Sequence, residues 1–289
     1  MNYGPNPWQQ TQWDWRAVGN FAGGGAGGGL IVFATMSGAQ GPALTWLLLA
    51  GAAFIGAGLA CVWLEIGRPL RAFNVFFNPR TSWMSREAFA AALLMPLTLA
   101  AATVLPALAW PAAALALGFI YCQGRMLNAA RGIPAWREPL TVPLLVASGL
   151  TEGAGLFWLL APVSGQGTRT LTVAFGVLLV LRFALGALWY RRLAQNLGAR
   201  PLAAVNRAGH VFNAGSLLPL VIVLGVLVTP LTTGWTSALL ALAGALATLG
   251  GAGFKFLLIT RASFNQGFAL SHLPVRGTRR PTSPARSTQ

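Results

Sequence analysis

Acidic residues are almost missing from this chain: Asp and Glu together number five in 289 residues, and charged residues of both signs make up only 9%. An ordinary soluble domain carries about a quarter charged residues, so a water-facing globular surface cannot be assembled from this composition. Cysteine is equally scarce. Cys61 and Cys122 lie singly in apolar runs without a C-x-x-C partner, which excludes a thiolate metal site or an iron–sulfur cluster on this chain. Both read as small buried hydrophobes. Histidine is limited to His210 and His272, and His272 falls beyond the last apolar run, so a bis-His pair for a membrane haem is not expected. The first 17 residues are polar, with Trp8, Trp13 and Trp15. They show neither a basic n-region nor a small-residue cleavage site, so no signal peptide is predicted, and the tryptophans read as an interfacial belt.

What the chain has in abundance is apolar length. Hydrophobic residues make up 55%, and there are 35 glycines. Runs of about 20 apolar residues, the length that crosses a bilayer, occur near 18–37, 43–65, 86–105, 109–129, 140–162, 170–190, 210–230 and 236–260. They predict an all-α integral membrane protein, a bundle of about eight transmembrane helices. Residues 1–270 form one helical domain, and 271–289 form a basic, Pro- and Ser-rich tail whose composition predicts mobility. The run Gly23 to Gly29 has the Gly-x-x-x-Gly spacing of a helix-packing surface and follows no strand, so it is not a phosphate loop.

The net charge of +15 does not signal nucleic acid, because the arginines are interspersed between apolar runs. The partner surface they imply is a lipid bilayer. Arg16, Arg68, Arg71, Arg80, Arg86, Arg125, Arg131, Arg137, Arg191, Arg192, Arg200, Arg207, Arg261 and the tail arginines fall on one side of the alternating loops, against Arg169 on the other. By the positive-inside rule, both termini and the basic loops face the cytoplasm of a bacterial inner membrane.

Charges at or within a membrane are costly and are functional candidates by default. Glu65 closes the second run and Glu87 opens the third, and between them stand Arg68, Arg71, Asn74, Arg80, Trp83 and Arg86. The arginines singly suit interfacial anchoring, and Ser82 or Ser85 suits a helix cap. Two carboxylates with amides and an aromatic in so short a stretch also predict a polar pocket at the membrane edge. His210, expected to open the seventh span, is a candidate proton relay or a structural hydrogen-bonder. Glu152 and Arg182 lie inside spans and are expected to pair, either to relieve burial or as part of a proton path.

Ile66 to Asn74 (Ile-Gly-Arg-Pro-Leu-Arg-Ala-Phe-Asn), followed by Ser82, Ser85 and Glu87, resembles the signature of the dimethyl sulfoxide reductase anchor subunit family. That family is related to polysulfide reductase membrane subunits. Arg125 to Trp136 is similar to the family's middle loop. The resemblance implies a membrane anchor for a molybdenum or tungsten catalytic subunit and a ferredoxin-like iron–sulfur subunit, docked on the basic face and carrying the metal cofactors. It also implies exchange of electrons with quinone (ubiquinone or menaquinone), with Glu87 as an acid near the quinone and Glu65 where the family usually has histidine. Arg68, Arg71, Asn74, Trp83, Arg86 and His210 are the remaining quinone-binding candidates.

Residues 5–15 and 264–267 are similar to anchor subunits of phenylacetyl-CoA:acceptor oxidoreductases. That likeness implies a cytoplasmic substrate and quinone reduction, and a sulfur-oxidising complex is the alternative. Thr260 to Leu270 is expected to dock the iron–sulfur partner or to be a simple helix end. The rival readings are a secondary transporter with a midplane site at Glu152 and Arg182, and a purely structural anchor.

Overall fold

A computed structural model describes residues 7–65, 69–165 and 167–267; the tail, His272 and Arg68 lie outside them. The described residues form a helical bundle: α1 (Trp15–Met36), α2 (Gly41–Trp63), α3 (Trp83–Thr103), α4 (Ala109–Ala129), the single turn α5 (Pro134–Arg137), α6 (Thr141–Ser164), α7 (Arg169–Ala194), α8 (Ala199–Val228) and α9 (Thr233–Thr260). A short 3-10 helix, Pro69–Phe77, precedes α3.

Local chemistry sets the helix ends. Asp14 caps α1 by accepting from the Arg16 amide at 2.8 Å. Hydrogen bonds from the Arg16 guanidinium hold the Asp14 carboxyl below the usual carboxylate range. Ser82 Oγ accepts from the Ser85 amide at the start of α3, and Thr168 does the same for α7. Gly165 ends α6 with φ +67°, a left-handed conformation that glycine adopts without steric cost.

Seven of these helices are long and apolar enough to cross a membrane. The eighth expected span, α3, has comparable length but falls short in apolarity, since its first turns carry Arg86 and Glu87. It packs against α2 and α4. The largest boundary difference is at α8, which starts at Ala199 instead of near residue 210. Arg200, Asn206 and Arg207 lower the hydropathy of its first turns without opposing helix formation.

Glycine determines which helix is central. α1 is mostly buried and packs against α2, α4, α6 and α9. A Cβ added at Gly27 would lie 2.5 Å from the Gly51 carbonyl of α2, and one at Gly28 3.1 Å from Ile120 of α4. Added Cβ atoms at Gly29 and Gly153 would each enter the other helix's backbone. Close backbone approach of this kind drives helix association in lipid, where apolar burial supplies little. The expected packing surface is therefore present and serves several neighbours at once. Outward-facing Trp46, Phe54, Leu93, Val180, Val221 and Leu249 are exposed, as a lipid-facing band requires.

Hydrogen bonds between helix ends show the up-and-down order. Thr45 Oγ1 donates to the Ala102 carbonyl at 2.7 Å, joining the start of α2 to the end of α3. Tyr190 Oη donates to Asn206 Oδ1 at 2.7 Å, joining the end of α7 to the start of α8.

Candidate functional site

The first turns of α1 and α3 and the last turns of α2 and α4 meet at one end of the bundle. Glu87, the fifth residue of α3, is 5% exposed. Asn20 of α1 donates its Nδ2 to Glu87 Oε1 at 3.0 Å, and Gln123 of α4 donates its Nε2 to the same oxygen at 3.2 Å. Gln123 Nε2 also donates to the Asn20 carbonyl at 2.9 Å, which locks the two amides together. Room for this arrangement comes from Gly24, where an added Cβ would collide with Gln123 Nε2.

Both donors reach Oε1, so among the described residues Oε2 has no hydrogen-bond partner. Glu87 forms part of the wall of a cavity of about 220 Å³ that Trp13, Asn20, Phe21, Glu65, Met84 and Met126 also line. Glu65, half-buried at the end of α2, faces this cavity from the rim. Arg16 stands near it, donating to the Leu64 carbonyl at 3.2 Å. The site thus pairs a buried carboxyl held by neutral amides with a second carboxyl at the rim, across a largely apolar space.

Of the sequence-predicted residues that are described, Glu65 and Glu87 share the cavity and the others do not. Arg71 and Asn74 are exposed on the 3-10 helix. Trp83 lies outside the cavity, edge-on to Tyr121 with centroids 5.8 Å apart. The guanidinium groups of Arg86 and Arg125 sit 4.1 and 4.5 Å from its ring centroid, within cation–π range. Arg86 also donates to the Pro79 and Arg80 carbonyls at 2.8 Å. It fastens the preceding loop to α3 and does not face the cavity. Arg68 lies outside the described residues.

His210 is removed from the group altogether. Because α8 begins at Ala199, His210 lies eleven residues inside that helix. It lines a separate cavity between α7 and α8, whereas the neighbours of Glu87 come from α1, α2 and α4. Asn20, Gln123 and Trp13 were missed. The available signal was that Asn20 and Gln123 are amides within apolar runs, where polar groups are expensive.

Glu152 pairs directly with Lys255 of α9, not with Arg182. Lys255 Nζ lies 2.7 Å from Glu152 Oε2 and donates to the Phe21 carbonyl at 2.8 Å. Arg182 interacts with Glu152 electrostatically, donates to the Ala247 carbonyl at 3.0 Å and lies 5.0 Å from the Phe212 centroid. Its Nε and Nη2 find no partner among the described residues. Lys255 stands on α9, which packs on both α1 and α6.

The two terminal blocks are bound to each other. The Gln10 amide donates to the Ser263 carbonyl and the Asn265 amide to the Trp8 carbonyl, both at 3.0 Å. Gln9 and Gln10 side chains donate to the Thr260 and Ile259 carbonyls at the end of α9. The described part of Thr260 to Leu270 is therefore a helix end capped by the N-terminal segment. Trp136 of the middle loop joins this cap, donating to the Leu258 carbonyl at 3.0 Å and lying 5.2 Å from Trp13.

No curated protein matches the chain. One protein family does, over residues 40–232, which takes in α2 to α8 with Glu65, Glu87 and Gln123 and leaves Asn20 and Lys255 outside the matched part. On that match, covering well over half of its length, the chain belongs to the DMSO reductase anchor subunit (DmsC) family.

Proposed function

We propose that this multi-pass anchor subunit of a molybdoenzyme complex is also the subunit that reacts with quinone, and that the Glu87 cavity is where it does so. The observation that carries the reading is a buried carboxyl whose Oε1 is fixed by two amides, in the wall of a cavity that a second carboxyl also lines.

The residues fit such a group. A cavity of about 220 Å³ is below the roughly 300–1,000 Å³ that a whole drug-sized ligand occupies, so it suits a single ring whose tail leaves into lipid. Trp13, Phe21, Met84 and Met126 supply apolar faces, and Asn20, Glu65 and Glu87 supply polar contacts. When bound, ubiquinone or menaquinone accepts two electrons and two protons. Asn20 and Gln123 hold the Glu87 carboxyl in one orientation, Glu87 exchanges a proton at Oε2, and Glu65 at the rim exchanges protons with water. General acid–base work of this kind contributes about 10²–10⁴-fold in rate.

The partners implied by the family are an iron–sulfur subunit and a molybdenum or tungsten catalytic subunit, and in this reading they dock at the arginine-rich end, beside the cavity. The positive-inside rule makes that end cytoplasmic in a bacterial inner membrane. A cytoplasmic substrate such as phenylacetyl-CoA would then supply electrons for quinone reduction. The transporter reading gains nothing from the midplane acid, because Glu152 is taken up by Lys255.

Glu87→Gln keeps the shape and removes the exchangeable proton. Quinone turnover of the purified complex is expected to fall at least about 100-fold, with both partner subunits still co-purifying. Unchanged turnover would overturn the assignment.

A further inference from the structure

The larger cavity of the bundle end is the crevice between α7 and α8, about 400 Å³, and the quinone reading does not use it. Its polar lining is Tyr190, Arg191, Asn206, His210 and Asn213, with no carboxylate, over a floor that includes Phe183 and Phe212. Tyr190 and Asn206 are joined by the 2.7 Å hydrogen bond that closes the crevice at its outer end. Arg191, His210 and Asn213 are exposed.

Helix length fixes the depth of these groups. α7 has 26 residues and α8 has 30, so at 1.5 Å per residue they span about 39 and 45 Å, against a hydrocarbon core of about 30 Å. Their excess lies at the end that carries Arg191, Arg192, Arg200 and Arg207, because the apolar stretches of both helices run toward the opposite end. Tyr190, Arg191, Asn206 and His210 therefore fall in the headgroup layer, and Phe183 lies below them at acyl-chain depth.

We infer that this crevice binds an anionic phospholipid, with its phosphodiester against Arg191 and His210 and its acyl chains descending past Phe183. A cation with hydrogen-bond donors and no acid complements a permanent negative charge, whereas a neutral quinone ring brings carbonyl acceptors but no charge to match that of Arg191. Such a lipid would fasten α7 to α8, which touch the rest of the bundle chiefly through α6 and α9.

The test is native mass spectrometry of the full-length chain titrated with dioleoyl-phosphatidylglycerol or dioleoyl-phosphatidylcholine, with Tm followed in parallel. The wild type is expected to retain the anionic lipid at least tenfold more tightly than the zwitterionic one. The Arg191→Gln/His210→Ala double variant should lose that preference. Gly209 lines the crevice and an added Cβ there meets nothing within 4 Å, so Gly209→Leu should plug it and abolish retention of both lipids. If Gly209→Leu fails to fold, the double variant decides alone, since its two positions are exposed. Equal retention of the two lipids by the wild type, an undiminished preference in the double variant, or displacement of phosphatidylglycerol by a short-chain ubiquinone would each overturn the inference.

Discussion

Glu87 and Glu152 are both buried carboxyl groups in apolar helices, yet the residues around them differ in kind. Glu152 meets an ammonium at 2.7 Å, and Glu87 meets only neutral amides. The first arrangement neutralises a charge; the second leaves one oxygen free for chemistry. Lys255→Met would take from Glu152 its direct hydrogen-bonded partner and leave only the more distant guanidinium of Arg182. Removing one partner of a buried pair costs about 3–5 kcal/mol, so a lower unfolding midpoint in chemical denaturation is expected. Removing all three buried charges, with Lys255→Met, Glu152→Leu and Arg182→Met, should recover most of that loss, and a triple variant as unstable as the single one would show that the cluster does more than satisfy itself. Gln123→Leu withdraws one of the two donors to Oε1. Quinone turnover is then expected to drop about tenfold while Tm changes little, reflecting misorientation of Glu87. A Tm loss with unchanged turnover per folded molecule would make Gln123 merely structural.

At the scale of elements, the spacing of glycines rather than the strength of apolar burial decides which helices touch. Gly153 faces the backbone of Gly29 and Leu30, which cannot move aside as a flexible side chain would. Gly153→Leu should therefore separate α1 from α6 and leave no cooperative thermal transition. Gly118, with open space where its Cβ would be, is the control: Gly118→Ala should raise Tm slightly, because alanine is favoured over glycine in a helix interior by about 0.8–1.0 kcal/mol. If both variants unfold alike, close packing at Gly153 is not what holds α1 in place. The buried polar groups around Glu87 and Glu152 depend on the same device, since Gly24 admits Gln123 and Gly25 admits Lys255. The glycine run was legible in the sequence as a packing surface. That two of its members make room for polar heads was not, because a one-dimensional spacing does not say which neighbour fills the gap.

For the whole molecule, orientation is the property with the widest consequence, since it decides on which side the catalytic partners work. With Cys61 and Cys122 replaced by alanine, a membrane-impermeant thiol reagent should label Gln40→Cys in intact cells, and should label Arg131→Cys only after the membrane is opened. The reverse pattern would move the partner subunits and their substrate to the other side.

Composition alone determined that this chain is a helical membrane protein, because nine per cent charge cannot cover a soluble surface and eight apolar runs need eight helices to satisfy their backbones. The runs also set most helix bounds to within a few residues. Where polar residues extend a helix past the bilayer, as at Ala199 to Arg207, hydropathy stops short of the helix, and His210 stands eleven residues inside α8 instead of at its start for that reason. The short stretch from Glu65 to Glu87 announced a polar site, but proximity along the chain is not proximity in space. Tertiary packing left Arg71 and Asn74 exposed, set Trp83 and Arg86 half-buried outside the cavity, and brought in Asn20 and Gln123, 67 and 36 positions away from Glu87. It made that choice because a carboxyl buried among apolar helices must take its hydrogen bonds from whichever helices face it, and only the bundle decides which those are.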